Sequence, residues 1–333
     1  MYIYLLLCIL LLLFFNLFEL FENNNIYASV DYSLPELPME YSLPMEYSLP
    51  ELHINKSELR SIVFSLTCHE NVDCIMDLIN NIYKNFNDFN IYILISTIEK
   101  IYDELKKINL NKNIMIVTVR HNNHNIWGHH DLFYQHIKNI KYLHEYNIKY
   151  DYFWFVASNE YFIKKVNLQF IENNIIKNYE KREISDIEVN NFYKKFDETN
   201  GEGVWWGGSI KMDTHTVNIF RENNIIIYDG RHEGLFLPSK LALEIYNMYE
   251  LFEINEKATN KHYPMEEIFV FSYLKSKYNI DNINTHCLQV SIYNNELIYD
   301  DAMKNDKIVS IKPINRDYND PVRKTLRNSV YIH

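Results

Sequence analysis

The chain reads as an α/β fold built on a mostly parallel sheet. Three observations carry that reading: apolar runs of strand length, amphipathic stretches of helix length between them, and polar residues gathered where each run stops. A strand followed by a helix and another strand implies a crossover, and crossovers leave neighbouring strands parallel.

The first strand is Ser61-Ile62-Val63-Phe64-Ser65-Leu66, a short, β-branched and aromatic run suited to burial on both faces. Val72 to Phe86 follows as an amphipathic helix, then Asn90 to Ser96 as a strand and Glu99 to Ile108 as a helix. Ile114 to Val119 is the third strand, His130 to Tyr146 the next helix, and Tyr152 to Ala157 the fourth strand. The second half is less regular. It holds a polar helical stretch containing Asp186-Ile187-Glu188, a Trp205-Trp206-Gly207-Gly208 turn, short strands, a helix from Ser239 to Phe252, and a helix opened by Pro264-Met265-Glu266-Glu267. A basic tail closes the chain.

Composition narrows the function. The chain has 333 residues, a formal net charge of -11, and 47% hydrophobic residues, enough for one large domain with a short appendage. The acidic balance argues against a nucleic-acid partner, because no broad basic face could dominate it. Leu5 to Phe21 is apolar except for Asn16 and Glu19, about the 17 residues that can just cross a bilayer. Signal anchor and cleaved signal peptide both remain open, with Ile26-Tyr27-Ala28 a weak cleavage site. Residues 31–52 repeat a unit, Tyr32-Ser33-Leu34-Pro35-Glu36 and Tyr47-Ser48-Leu49-Pro50-Glu51 among its copies, whose prolines forbid helix and favour a semi-rigid spacer. The chain therefore divides into an anchor or signal at 1–22, a stalk at 23–56 and a globular domain at 57–333. Either export route places that domain in a lumen or outside the cell, where Asn55-Lys56-Ser57 is a glycosylation sequon.

With Cys8 in the apolar segment, Cys68, Cys74 and Cys287 remain, and no C-x-x-C occurs. Zinc-knuckle and thioredoxin readings fail, while a Cys68–Cys74 link and free thiols both stay open. His121, His124, His129 and His130 are dense enough to suggest zinc, yet their spacing matches no recognisable site.

Polar groups stand at each strand end, where an α/β enzyme places its ligands. They are Thr67-Cys68-His69-Glu70, then Ser96-Thr97, then Arg120-His121 leading to Trp127, then Ser158-Asn159-Glu160. Pro264 suits a first helical turn, where acids meet the positive helix end. A carboxylate there, against the apolar Ile268-Phe269-Val270-Phe271, can have its pKa raised toward that of a general base.

In this order the features resemble the core-2/I-branching N-acetylglucosaminyltransferases and their xylosyltransferase relatives, inverting enzymes with the GT-A fold, a Rossmann-type mostly parallel sheet flanked by helices. The resemblance runs over about residues 61–327. It is carried by Ile62 to Glu70, Val117 to Trp127, Phe153 to Phe162, Glu233-Gly234-Leu235-Phe236-Leu237-Pro238-Ser239 and Pro264-Met265-Glu266. It implies transfer of a GlcNAc- or xylose-class sugar from a UDP-sugar donor to a hydroxyl on a glycan or protein, on a membrane in a Golgi- or ER-like compartment or after secretion.

The resemblance also implies roles. The base is Glu266 counting from Pro264, or Glu267 counting back from Phe271-Ser272. Nucleotide-sugar contacts fall on His69, Glu70, Ser96, Arg120 and Trp127, and on Ser158, Asn159 and Glu160, where relatives have Gly and Asp. Acceptor contacts fall on Trp205, Trp206 and Glu233. No convincing Asp-x-Asp for a metal occurs, and the family dispenses with one, so no metal or cofactor is expected. Arg316, Arg323 and Lys324 of the tail would hold the leaving diphosphate. The altered turn at Ser158-Asn159-Glu160 leaves an alternative, a non-catalytic carbohydrate-binding or structural surface protein on a degenerate scaffold.

Overall fold

The computed structural model describes residues 59–69, 71–120, 129–177, 179–280, 282–289 and 301–328. The chain divides into two units, Met1–His53 and Ile54–His333, and all described residues belong to the second. The apolar segment, the proline repeat and the Asn55 sequon lie outside the described residues, as do Glu70 and the loop holding His121, His124 and Trp127. Among the described residues, no helix is long and apolar enough to cross a membrane.

The alternation seen in the sequence is built as expected. Strand β1 (Ser61–Thr67) leads to helix α1 (Val72–Asn85), β2 (Asn90–Ile98) to α2 (Glu99–Leu105), and β3 (Ile114–Arg120) precedes α3 (His130–Glu145) and β4 (Tyr152–Ala157). The strands lie in the order β3-β2-β1-β4, all parallel, and β6 (Phe236–Pro238) closes the sheet antiparallel to β4. Both faces are covered, which explains the unbroken apolar runs. Val63, Leu94, Phe153 and Phe155 face one core, packed by α3, while Ile62, Phe64, Ile93, Trp154 and Val156 face the other. Helix α2 is shorter than expected. It stops where its last buried residue, Leu105, is followed by exposed Lys106 and Lys107.

Between β4 and β6 the chain passes through β5 (Tyr161–Phe162), α4 (Leu168–Asn174), α5 (Asp186–Glu198), α6 (Gly207–Met212) and α7 (Thr214–Glu222). After β6 come α8 (Ser239–Leu251), α9 (Ile254–Lys257), a 3-10 turn (Met265–Glu267) and α10 (Phe269–Lys277). A second sheet, β5-β8-β7, joins β7 (Cys287–Gln289) parallel to β8 (Ser310–Lys312), with β5 antiparallel on the other side. Helix α11 (Pro321–Asn328) follows.

The register of β1 decides where chemistry can occur. Thr67 lies beside Ser96 of β2 on one side and Ala157 of β4 on the other, so the polar ends of three strands share one edge. Just inside that edge Asn139 of α3 donates to Ser65 Oγ at 2.8 Å and accepts from Ser96 Oγ at 3.0 Å. His136 Nδ1 lies 2.7 Å from the same Ser65 hydroxyl. This buried seam fixes α3 to the strands by directional bonds where apolar packing alone would tolerate sliding.

The tail does not behave as a solvated basic end. Arg323 is 0% exposed and donates to Asp77 Oδ2 of α1 at 2.9 Å. Arg327 Nε reaches the other oxygen, Oδ1, at 2.7 Å. Asp77 is the one acid on the inward face of α1, and these arginines supply its counter-charge. Asp77→Ala should therefore destabilise the domain by about 3–5 kcal/mol, because a buried guanidinium is left uncompensated. Urea unfolding measures this; a loss below about 1 kcal/mol would mean the clamp is dispensable.

Candidate active site

At the carboxyl edge of the main sheet the 3-10 turn, the loop before β6, the turn after β4, and strands β7 and β8 converge. They bring Glu160, Glu233, Glu266 and Glu267 into one buried cluster. Pro264 does not open an α-helix as expected. It is extended, Met265–Glu267 forms the 3-10 turn, and Ile268 (φ -113, ψ -56) separates it from α10. The break turns both glutamates into the cluster instead of stacking them on a helix rim.

Glu266 is 4% exposed, and its Oε2 is buried with no hydrogen-bond partner among the described residues. Burial, then the charges of Glu267 and Glu233, push its pKa up to about 8. Glu267 is also raised by burial, but Arg231 Nη1, 3.0 Å from its Oε1, opposes this. Glu233 is the fixed anion. Burial alone would raise it, yet it lies at about 2, held down by His232 and Lys312. Burial depresses His232 itself to about 4, so the imidazole is neutral at pH 7 and Lys312 carries the pairing there. Lys312 Nζ bonds Glu233 Oε1, and Gln289 Nε2 bonds Oε2. Glu160, bonded by the Ser310 hydroxyl and the Ala157 N–H, is pushed by burial up to about 7.

One glycine makes this arrangement possible. Gly234 has φ +72, and a Cβ there would lie 2.5 Å from the Cys287 backbone nitrogen. The close approach brings Glu233 within reach of Gln289 on β7 and Lys312 on β8. Any other residue at 234 would push the loop away from the second sheet.

The expected site residues divide three ways. Glu266, Glu267, Glu233 and Glu160 come together. Ser96 is buried in the Asn139 seam below the edge, and Ser158, which follows β4, is buried as well. His69 lies at the end of β1, and the Asn159 carbonyl accepts from Ile314 N at 2.8 Å. The backbone of Arg120 ends β3, while Glu70 and Trp127 lie outside the described residues. Arg316 is exposed, its carbonyl 3.3 Å from Asn71 Nδ2 at the start of α1, and so stands beside the loop that follows β1. Arg323 is a correction: the expected diphosphate ligand is sequestered on Asp77 and does not face the cluster. Lys324, its neighbour on α11, is exposed. Trp205 is exposed while Trp206 is half-buried with its indole nitrogen inward.

The thiols and histidines also resolve. Cys68 and Cys74 are both buried and are not linked to each other. His130 is fully buried against Tyr263, its ring 4.4 Å from the tyrosine ring, and burial lowers its pKa well below the usual value. A metal could instead be considered at His232, Glu233 and Glu267, whose ligand atoms lie within 4.8 Å of one another. The donor set fits a cation poorly, because Lys312 and Arg231 already neutralise both carboxylates. Sequence reasoning missed Arg231, His232 and Gln289 as members of the cluster. Arg231 and Gln289 pair with residues 36 and 56 positions away, and no local pattern marks His232 although it adjoins Glu233.

No family model matches the chain, and no curated protein matches it. Among solved structures, the X-ray structure of the mannosyltransferase Ktr4p from S. cerevisiae aligns at 15% identity with a TM-score of 0.34, covering 72% of this chain and 71% of that one.

The raised glutamates leave a signature in stability. An acid whose pKa is higher folded than unfolded stabilises below its unfolded value and loses that contribution as pH rises through the folded one. For Glu266 the window runs from 4.5 to about 8. The depressed His232 acts in the opposite sense, but its effect is complete above 6.5. Between pH 6.5 and 8 the melting temperature should thus fall, and fall less in Glu266→Gln. Equal slopes in the two proteins would contradict the burial of an ionisable Glu266.

Proposed function

We propose that this chain is an inverting glycosyltransferase with Glu266 as its general base. The observation that carries the reading is the buried Glu266 carboxylate, one oxygen unpartnered, at the carboxyl edge of a parallel sheet. The resemblance of Pro264-Met265-Glu266 to the core-2 and xylosyltransferase motif supports the same assignment. A UDP-linked sugar of the GlcNAc or xylose class lies along the ends of β1, β2 and β4, contacting His69, Ser158 and Asn159. The acceptor hydroxyl, on a glycan or glycoprotein, gives its proton to Glu266 Oε2 as its oxygen attacks the anomeric carbon. The bond from that carbon to the diphosphate oxygen breaks with its electron pair on the departing UDP, and attack from the opposite face inverts the centre.

Charge stabilisation of the leaving group comes without a metal in this reading. Arg316 supplies it from beside the first strand, a role Arg323 is not placed to share. Glu233, ionised and fixed by Lys312 and Gln289, is suited to hold an acceptor hydroxyl. The Leu5 to Phe21 segment holds the enzyme on a lumenal membrane face, and recovery of uncleaved full-length protein from the soluble fraction would contradict that.

Glu266→Gln keeps the side chain's shape but removes the proton acceptor. It should lower kcat by about 100- to 10,000-fold with donor KM nearly unchanged. Glu267→Gln should cost far less. In the wild type, kcat should rise with pH and level off above about 8, where Glu266 is ionised. Two variants that bind UDP and transfer sugar normally would remove the central claim.

Chelation separates a second point. Turnover should survive EDTA, and loss that manganese or magnesium restores would replace Arg316 with a metal. Tight sugar binding with no turnover of any nucleotide sugar would favour the carbohydrate-binding alternative.

A further inference from the structure

Arg231 joins two features that the proposed reaction treats separately. On one side its Nη1 bonds Glu267 Oε1 at 3.0 Å, next along the chain to Glu266. On the other its guanidinium lies 3.9 Å from the centroid of the Trp205 ring. Trp205 is 50% exposed, a large aromatic left open beside a buried acidic cluster. Its place is rigidly set. The Trp205 N–H donates to Asp229, and the turn around it closes by the contact of Gly201 with Gly207, where a Cβ on Gly207 would fall 2.0 Å from the Gly201 carbonyl oxygen. Gly230 N donates to the Glu267 carbonyl at 3.0 Å, tying the Arg231 loop to the turn that bears the glutamates.

Resting on the glycosyl-transfer reading, we propose that Arg231 is a positioning residue that registers an acceptor pyranose, stacked on the open face of Trp205, against the base. A flat aromatic face backed by a planar cation offers an apolar platform to the C–H face of a neutral sugar ring. The same guanidinium bonds Glu267 and opposes the burial that raises its pKa, which leaves Glu266 to take the proton. The charged and titratable groups facing this pair are Arg231, Glu233, Lys312 and the neutral His232. Without Arg231, Glu266 and Glu267 become a coupled dyad sharing a proton.

Five full-length proteins test this: wild type, Arg231→Met, Arg231→Lys, Trp205→Ala and the double variant Trp205→Ala/Arg231→Met. Arg231→Met should raise acceptor KM by about 3- to 10-fold, the scale of a lost aromatic contact, and lower kcat with donor KM unchanged. Its pH profile should change from one ascending step to two, while Arg231→Lys keeps one step and Trp205→Ala keeps the wild-type profile. Trp205→Ala should raise acceptor KM similarly, and the double variant Trp205→Ala/Arg231→Met should be little worse than Arg231→Met. An Arg231→Met protein that merely melts earlier, with both KM values and its pH profile intact, overturns the proposal, as do independent, multiplying losses. The platform is read separately by saturation-transfer NMR with methyl glycosides of galactose, N-acetylglucosamine, mannose and xylose, with no donor present. Ring signals lost in Trp205→Ala support it, and equal or absent signals in wild type and variant overturn it, whether or not a nucleotide sugar is turned over.

Discussion

The bond between Lys312 and Glu233 is the interaction on which the acidic centre depends. Glutamates crowded into one dry pocket would repel and protonate together. Lys312, arriving on β8, fixes one of them as a permanent anion, and Arg231 restrains a second. Glu266 and Glu160 are left to hold protons near neutral pH. Neighbouring carboxyl groups thereby acquire different states from one arrangement of charge, the condition acid–base chemistry needs.

The main sheet exists in part to serve that centre. Its strands are buried on both faces, and Thr67, Ser96 and Ala157 reach the same edge in register. The seam through Asn139, Ser65 and His136 holds that register with hydrogen bonds. A slip of one residue would break those bonds and carry the polar strand ends off their common edge, so the seam specifies the position of the cluster.

Much of this was legible from the chain alone. The first four strands and their helices appear close to where apolar periodicity places them, because burial on both faces writes itself into continuous Val, Ile and Phe. Glu266 and Glu160 were legible because they occupy a proline-marked turn and a strand end, while Glu233 was expected only through the resemblance. Arg231 and Gln289 were not legible, since each matters only through a partner far along the chain, and His232 gains its place only from the burial of Glu233 beside it. Arg323 reads in the sequence as charge facing phosphate. What fixed its fate was Asp77, concealed as the odd acid on a buried helix face. The 3-10 turn at Met265 was missed for a related reason: Pro264 marks a start, but Ile268, held in the core, forces a break before α10 can run.

The long gap in sequence between Glu233 and Lys312 has a consequence for the newborn protein. During synthesis the sheet strands and all four glutamates emerge from the ribosome before Lys312, and the α11 clamp follows later still. Until then the acids have no lysine beside them, and α1 carries Asp77 with neither arginine. The order of emergence thus keeps the centre unassembled on a nascent chain, and completion of the carboxyl-terminal strand and helix is the step that gives the pocket its charge balance.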